Sequence, residues 1–180
     1  MKLKTRIFLF CAAALIGMVV LAAISLSTLR QTMLKERTAQ LCTLVVLANA
    51  SLEKLHAQEK AGELSREQAQ AEAKKLSGSL RKEELYFFVR GYTDDVNYVH
   101  PNPKRIGIVD PKVGKEAGER YRAALAGKTV GTVLALGTRP GTKNEVEKLY
   151  AIIKFEPWDW IVGFGHYIDD INTAFWRSTG

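Results

Sequence analysis

The sequence has few of the residues that build metal centres and disulfide frameworks. Its 180 residues include only two cysteines and three histidines. Cys11 lies inside an apolar segment and Cys42 lies well outside it, so an intrachain disulfide is not expected. His56, His100 and His166 lack the spacing of metal ligands. We therefore predict neither a disulfide framework nor a metal or other cofactor.

The signatures of common catalytic and nucleic-acid-binding sites are also missing. The glycines do not form a phosphate-binding loop between a strand and a helix. Asp94 and Asp95 fall in a predicted turn without an evident catalytic partner. The 26 Lys and Arg against 19 Asp and Glu give a formal net charge of +7, but no basic run is interleaved with aromatic residues. We predict that the chain is not an enzyme and does not bind nucleic acid.

Neither glycine nor proline occurs between Gly17 and Gly62, which permits one long helix because these two residues are the strongest helix breakers. A stripe with alternating spacings of four and three residues runs along it, which is a heptad pattern. It indicates either a rod that pairs with a second subunit or a helix that packs onto its own domain, and both can occur along one helix. The stripe consists of Leu34, Thr38, Leu41, Val45, Ala48, Leu52 and Leu55.

The long hydrophobic run of the sequence lies near the N-terminus. Lys2, Lys4 and Arg6 precede an apolar stretch from Ile7 to Leu29. A helix of roughly 20 such residues crosses a bilayer, whereas a secretory signal has an apolar region of only ~7–15 residues. We therefore predict a retained transmembrane helix over 7–29. The basic N-terminus should stay in the cytoplasm and place the rest of the chain outside it.

Beyond Gly62 the pattern predicts short helices and strands. Ser65 and Gln68 form a capping box that starts one helix, and a second helix is predicted from Lys115 to Ala126. The fold class is therefore α+β, with the anchor, a long helical rod and an antiparallel sheet of about five strands with helices on one side. Runs rich in β-branched and aromatic residues predict the strands at 86–90, 96–100, 130–136, 149–155 and 160–164.

The first two predicted strands form a hairpin, which is the candidate site. Side chains alternate along a strand, so Tyr86, Phe88 and Arg90 share one face. Tyr98 and His100 share a face of the return strand, which two prolines then end because proline has no N–H to donate. Such a hairpin can gather Tyr, Arg and His side chains into a small polar pocket. An ordinary amphipathic hairpin with a tyrosine-rich core is the alternative.

Several segments together resemble a known family. GELSREQAQAEAKKLSGSLR, YFFV, VHPNP, DPKVG, RPG and KFEPWDWIVGFGHYIDDI are similar to the single Cache sensor domain, type 2, of bacterial methyl-accepting chemotaxis proteins. The resemblance covers about residues 40–175. It implies a long helix followed by a PAS-like sheet, then a second transmembrane helix and cytoplasmic HAMP and signalling segments. It also implies a receptor for short carboxylates such as acetate, propionate, pyruvate or lactate.

The resemblance assigns site residues position by position. Tyr86 and Phe88 match the aromatic strand of the family, His100 matches its His-Pro, and Lys148 matches the lysine that opens a later strand. Such residues supply the charge-assisted donors that a carboxylate needs in a mostly apolar cleft. The predicted ligand-binding residues are Tyr86, Phe88, Arg90, Tyr98, His100, Lys148 and Tyr150.

The sequence departs from the family pattern at a few pocket positions. Ala135 and Gly137 stand where the family has aromatic residues, so acids bulkier than acetate should be accepted. Tyr150 lies one place before the family tyrosine, and one place along a strand is the opposite face, so whether it reaches the pocket is left open. Phe164 is a bulky residue between two glycines, which predicts an altered pocket.

Together these patterns predict a receptor. We assign 1–6 to a cytoplasmic N-terminus, 7–29 to the anchor, 30–172 to a periplasmic single Cache domain, and 173–180 to the start of a helix leading to a second transmembrane segment. The chain should form a homodimer in a bacterial inner membrane, bind a small organic acid and transmit a signal. The sensor region of a histidine kinase or cyclase, or a membrane-tethered enzyme, are the alternatives.

Overall fold

The computed structural model describes residues 3–111, 113–138 and 145–169. The chain divides into two compact units, and the larger, Thr38–Asp169, contains a β-sheet. The predicted α+β class is confirmed. The helices are α1 (Leu3–Lys60), α2 (Arg66–Ser79) and α3 (Gly114–Leu125). The strands are β1 (Arg81–Lys82), β2 (Leu85–Gly91), β3 (Asn97–Val99), β4 (Val130–Thr138), β5 (Glu145–Phe155) and β6 (Trp160–Tyr167).

The N-terminal part of α1 is apolar and exposed. Phe8 and Phe10, for example, are 71% and 77% exposed. Among the described residues, α1 is the one helix that is long and apolar enough to cross a membrane, by length and composition. The long helix predicted from the absence of glycine and proline is therefore present. That 7–29 is a retained anchor stays a prediction.

From Leu41 to Leu52 the heptad stripe of α1 is buried within a single chain. Near the end of the helix, the His56 ring packs edge-on against Phe155 and Trp158. The indole N–H of Trp158 donates to Glu59 Oε2 over 2.7 Å. This part of α1 therefore packs onto its own domain, as one of the two interpretations predicted. Each fully buried aliphatic side chain contributes about 1.5–3 kcal/mol. The buried stripe consists of Leu41, Val45, Ala48 and Leu52.

Turn and cap residues set the break between α1 and α2. Gly62 has a φ of 76°, which glycine adopts without a Cβ clash. Ser65 Oγ accepts from the Gln68 N–H, and the Gln68 side chain accepts from the Ser65 N–H, which forms the predicted capping box. Ala69 and Ala73 are 0% exposed, so their small side chains let α2 lie close to the sheet domain.

The strands form one antiparallel sheet in the order β1-β2-β6-β5-β4, with β3 paired to β2. Every predicted strand is present, although β3 is shorter than predicted. The sixth strand, β1, has only two residues and is too short to show an alternating pattern in the sequence. Antiparallel pairing brings β2, β6 and β5 side by side in the centre of the sheet, where five of the seven predicted site residues lie: Tyr86, Phe88, Arg90, Lys148 and Tyr150.

Helices cover both faces of the sheet, which corrects the expectation of helices on one side. On one face, Lys74 Nζ of α2 lies 5.5 Å from the centre of the Tyr98 ring. On the other face, the Tyr121 ring of α3 stacks on Phe88 with ring centres 5.7 Å apart. The sequence indicates that a helix has an apolar face, but it does not indicate which side of a distant sheet receives that face.

Two glycines of β6 allow aromatic rings to lie flat across the sheet. A Cβ on Gly163 would lie 2.1 Å from the Phe88 ring, and a Cβ on Gly165 would lie 2.6 Å from the Tyr150 ring. The rings therefore occupy the space that side chains on β6 would take. This is the close approach that glycine at these positions predicts.

Two predicted features lie outside the described residues. They are the RPG segment of the family resemblance, Arg139-Pro140-Gly141, and the helix start at 173–180. The assigned domain bounds therefore stay predictions.

Candidate ligand-binding site

A cavity of about 390 Å³ lies between the sheet and α3. Strands β2, β4, β5 and β6 contribute one wall, α3 another, and the loop after β3 the rim. Lys148 lies directly behind this lining, and Tyr98 lies on the other face of the sheet. The remaining five of the seven predicted residues line the cavity: Tyr86, Phe88, Arg90, His100 and Tyr150.

Strand register brings these residues together. Tyr86 on β2 is opposite Gly165 on β6, which is in turn opposite Tyr150 on β5. Lys148 is two residues from Tyr150, so it shares the same face, and it is opposite Tyr167 on β6. Because Gly165 has no side chain, the Lys148 chain and the Tyr150 ring pass over it. The Lys148 ammonium group is thereby placed among three tyrosines.

Lys148 is fully buried, with 0% of its surface exposed. Its Nζ donates to Tyr86 Oη over 2.9 Å and lies 4.1, 4.4 and 5.4 Å from the ring centres of Tyr86, Tyr167 and Tyr150. Aromatic faces attract a cation, but no carboxylate of the described residues lies within ion-pair distance of Nζ. Burial lowers the pKa of Lys148 from 10.5 to about 8, so the ammonium form predominates at pH 7.

The hydroxyl proton of Tyr86 remains available to a ligand. The Tyr86 oxygen accepts from the Lys148 ammonium group, so its own proton can be donated into the cavity. Burial raises the pKa of Tyr86 and Tyr150, and raises the pKa of Tyr121 to about 12, so all three are neutral donors at pH 7. A hydroxyl that accepts from a cation is a stronger donor. Lys148 can therefore act on an anion through Tyr86.

His100 is a second neutral donor at the cavity. Its ring lies edge-on to the Tyr86 ring, with centres 6.1 Å apart. Nδ1 accepts from the Asn102 N–H over 3.0 Å, which leaves the proton of the neutral ring on Nε2. Burial, followed by the charge of Arg105, lowers the pKa of His100 to about 4. His100 thus holds the proline-containing turn and keeps an N–H for a ligand.

Arg90 is a buried lining residue whose charge is already paired. It is 4% exposed, and its Nη2 donates to Asp95 Oδ1 and to the Gly114 carbonyl, each over 2.8 Å. Asp95 also accepts from Arg122 Nη1 of α3 over 3.0 Å. Arg90 therefore fixes the hairpin turn to α3. Its guanidinium is engaged by Asp95, which it shares with Arg122.

Tyr98 does not reach the cavity, so the prediction that it shares a face with His100 is wrong. Its ring packs on Trp160 with centres 5.4 Å apart, and its hydroxyl donates to Asp94 Oδ2 over 2.6 Å. The pairing of β2 with β3 shifts at an irregularity, and a bulge of this kind re-aims the side chains that follow it. Asn97 is the β3 residue that lines the cavity.

The departures from the family pattern have different outcomes. Tyr150 lines the cavity, because it is two residues from Lys148 and therefore lies on the same face of β5. A Cβ on Gly137 would lie 3.3 Å from the Tyr150 hydroxyl, so Tyr150 fills part of the space that an aromatic residue at 137 would take. Phe164 packs on Phe87 on the other face, with ring centres 4.8 Å apart. The expectation that Phe164 alters the pocket is therefore wrong.

Sequence reasoning missed several lining residues. Arg105 lies in the loop after β3 and pairs with Asp110 over 2.6 Å between Nε and Oδ2. No periodicity identifies a loop residue, so only the folded chain reveals it. Tyr167 could have been found, because it continues the alternation of Gly163 and Gly165 along β6. The missed lining residues include Asn97, Arg105, Tyr121 and Tyr167.

A long N-terminal helix followed by an antiparallel sheet with a donor-lined cavity defines the class of PAS-like small-molecule sensor domains. The sequence profile of this class described as single Cache domain 2 matches residues 33–179. The chain belongs to this family. It is a family of sensor domains and not a catalytic family.

Curated relatives of this chain have different outputs. The sensor histidine kinase MctS of Rhizobium johnstonii is 31% identical over 157 residues, which cover 84% of this chain and 33% of the kinase. The methyl-accepting chemotaxis protein McpP of Pseudomonas putida is 29% identical over 185 residues, which cover 99% of this chain and 34% of that protein. The chain therefore spans about a third of the length of these relatives.

Solved structures of sensor domains share the fold. The periplasmic sensor domain of a chemotaxis protein is similar with a TM-score of 0.63 and 30% identity, covering 76% of this chain and 98% of that domain. A Cache chemosensory domain described in terms of carboxylic acid recognition has a TM-score of 0.64 and 29% identity, covering 77% and 97%. The chain is thus a Cache sensor domain homologous to those of chemoreceptors and sensor kinases.

Proposed function

We propose that the cavity binds a small carboxylate and that the chain is the sensor part of a membrane-anchored bacterial chemoreceptor. The observation that carries this proposal is Lys148, a buried ammonium group with no carboxylate of the described residues within ion-pair distance. Leaving a cation unpaired in the interior is unfavourable, and a bound carboxylate supplies the missing charge. The similarity to a domain described for carboxylic acid recognition supports the same ligand class.

The donors around the cavity suit a carboxylate in both geometry and protonation. The Tyr86 hydroxyl and the His100 Nε2–H are neutral donors at pH 7, and Lys148 supplies the charge behind Tyr86. Hydrogen bonds that involve a charged partner are about twice as strong as neutral ones. The proposed role of Phe88 and Tyr150 is to contact the carbon skeleton of the acid, and Arg90 holds the wall in place.

A thermal-shift screen of short acids on the detergent-solubilised chain should identify a ligand, since a ligand that binds only the native state raises the melting temperature. With that acid, Tyr86→Phe and His100→Ala should each weaken binding roughly ten- to a hundredfold. A hydrogen bond to a charged group contributes about 1.5–3 kcal/mol, and each 1.4 kcal/mol is about tenfold in affinity. Calorimetry measures the change.

Tyr98→Phe is the matched control for this experiment. It removes the same hydroxyl from the same hairpin, but on the face away from the cavity, so affinity should stay unchanged. Wild-type affinity in both Tyr86→Phe and His100→Ala would mean that the acid binds elsewhere. An enzyme would convert the acid, so NMR of the ligand after prolonged incubation checks the proposed absence of catalysis.

We also propose that 7–29 is retained in the inner membrane and that 30–172 lies in the periplasm. The length of the apolar run, its basic flank and the similarity to a periplasmic sensor domain support this assignment. N-terminal sequencing of the mature protein tests it, because a first residue downstream of Ala23 would show that the run is a cleaved signal.

We propose that the homodimer forms along α1. Leu44 and Leu47 are 37% and 61% exposed in a single chain, and they lie three residues apart on one face of the helix. Single cysteines placed from Leu34 to Leu47 in a Cys42→Ser background should cross-link with a helical period. Cross-links should form at the exposed positions and not at the buried Leu41 and Val45. Uniform or absent cross-linking would contradict a paired helix.

A sensor histidine kinase is the second candidate for the whole protein, because MctS is as similar to this chain as McpP is. The two outputs differ in the coding sequence that follows the codon for Gly180. A HAMP and methylated signalling segment supports the chemoreceptor, and a catalytic kinase domain supports the alternative. Both use the same sensor domain and the same proposed ligand class.

A further inference from the structure

The charges around the cavity indicate how many acidic groups its ligand carries. Lys148 is a cation beside the cavity, and no carboxylate of the described residues lies within ion-pair distance of its Nζ. Lys148 therefore offers a place for one carboxylate, whereas the guanidinium groups that line the cavity already have carboxylate partners. The arginines that line the cavity are each paired: Arg90 with Asp95, Arg105 with Asp110 and Arg120 with Glu116.

The cavity is large for a carboxylate group alone. Its volume of about 390 Å³ would hold about a dozen waters at the roughly 30 Å³ that each occupies in the liquid. An acid of two or three carbons would displace only about three of them. Cavities of ~300–1,000 Å³ are those in which proteins bury larger organic ligands. Most of the space is therefore available to the body of the ligand.

The wall beside the Lys148 end is aromatic. Phe88 stacks on Tyr121 with ring centres 5.7 Å apart, and Tyr150 meets their rings at 5.9 and 6.2 Å. Tyr150 also lies 5.4 Å from Lys148 Nζ, so this wall adjoins the ammonium group. The small side chains Ala117 and Ala135 line the same cavity. A flat apolar group can therefore lie on the rings while an attached carboxylate reaches the Tyr86 and Lys148 end.

We propose that the ligand is a monocarboxylate with a flat apolar body of about the size of a phenyl ring, as in an arylacetate. This inference rests on the proposed function, since it takes the same cavity and the same carboxylate anchor. The ring lies against Phe88, Tyr121 and Tyr150, because aromatic groups prefer offset or edge-on contact with other rings. The carboxylate accepts from the Tyr86 hydroxyl, with Lys148 behind it.

The test compares phenylacetate with propionate on the detergent-solubilised 180-residue chain, by equilibrium dialysis against matched micelles without protein. Phenylacetate should bind at least tenfold more tightly than propionate, and 2-phenylethanol, which lacks the charge, should bind at least tenfold more weakly than phenylacetate. Propionate binding as tightly as phenylacetate would overturn this inference and leave the proposed carboxylate site standing. Binding of neither acid would overturn this inference, and the thermal-shift screen of short acids decides the proposed function separately.

Ala117→Leu on α3 places extra carbons in the space beside Tyr121. Affinity for phenylacetate should fall at least tenfold, whereas affinity for propionate should change less than threefold. Ala123→Leu on the exposed side of the same helix is the control and should change neither affinity. An equal loss of both acids in Ala117→Leu, at an unchanged melting temperature, would show that the ring does not occupy this part of the cavity.

Discussion

Lys148→Met should abolish most of the carboxylate affinity and at the same time stabilise the unliganded protein. The pKa of Lys148 is lowered by burial from 10.5 to about 8, and each pKa unit corresponds to about 1.4 kcal/mol. Keeping Lys148 charged in the fold therefore costs about 3 kcal/mol, which a neutral side chain of similar length avoids. Urea denaturation at pH 7 should show the variant more stable by about 1–3 kcal/mol.

The pH dependence distinguishes this explanation from a packing effect. The folded-state pKa lies below the unfolded value, so the cost is fully present below about pH 8 and disappears as the pH rises toward 10.5. The stability difference between Lys148→Met and the wild type should therefore shrink between pH 7 and pH 10. A variant that is less stable than the wild type at pH 7 would mean that Lys148 holds the sheet together.

Ligand affinity should depend on the same titration of Lys148. It should fall as the pH rises, whereas the wild type gains stability relative to Lys148→Met. A carboxylate favours the ammonium form, so wild-type affinity is highest below about pH 8 and falls as Lys148 loses its proton above it. Lys154→Met is the matched control, since Lys154 lies on the same strand, pairs with Glu156 over 2.9 Å and does not line the cavity. Lys154→Met should bind the carboxylate with wild-type affinity and should not be more stable than the wild type.

Asp95→Asn should be among the most destabilising single substitutions in the sheet domain. Asp95 is 8% exposed and accepts from Arg90 and Arg122 over 2.8 and 3.0 Å. Removing its charge leaves two arginines without a carboxylate, and breaking a buried ion pair typically costs 3–5 kcal/mol, so we expect a loss of about 3–5 kcal/mol. Asparagine tolerates the positive φ of 59° at this position, so backbone strain does not confound the result.

Asp94→Asn is the control for Asp95→Asn. Asp94 is in the same turn but exposed, and it accepts from Tyr98 and the Val96 N–H, so its substitution should cost about 1 kcal/mol or less. Adding Arg90→Met to Asp95→Asn should recover part of the loss, because the fully buried cation is then removed with its partner. A loss of under about 1 kcal/mol for Asp95→Asn would show that the arginines are solvated.

The local pattern of the sequence determined most of the elements. The absence of helix breakers between Gly17 and Gly62 predicted α1, and the Ser65 capping box predicted the start of α2, because both depend on a few neighbouring residues. Alternation along β2 correctly placed Tyr86 and Phe88 on one face, since the side-chain period of a strand does not depend on its partners. The resemblance to a family supplied Lys148, and it agreed with the hairpin pattern on His100.

Tertiary structure alone decided how these residues meet. Register between β5 and β6 places Lys148 beside Tyr167 and Tyr86, and pairing between distant segments leaves no local trace in the sequence. The irregular pairing of β2 with β3 moved Tyr98 to the other face, because one extra residue in a strand re-aims the side chains beyond it. Arg105 lines the cavity from the loop after β3. The path of a loop is set by contacts with the folded domain and not by periodicity.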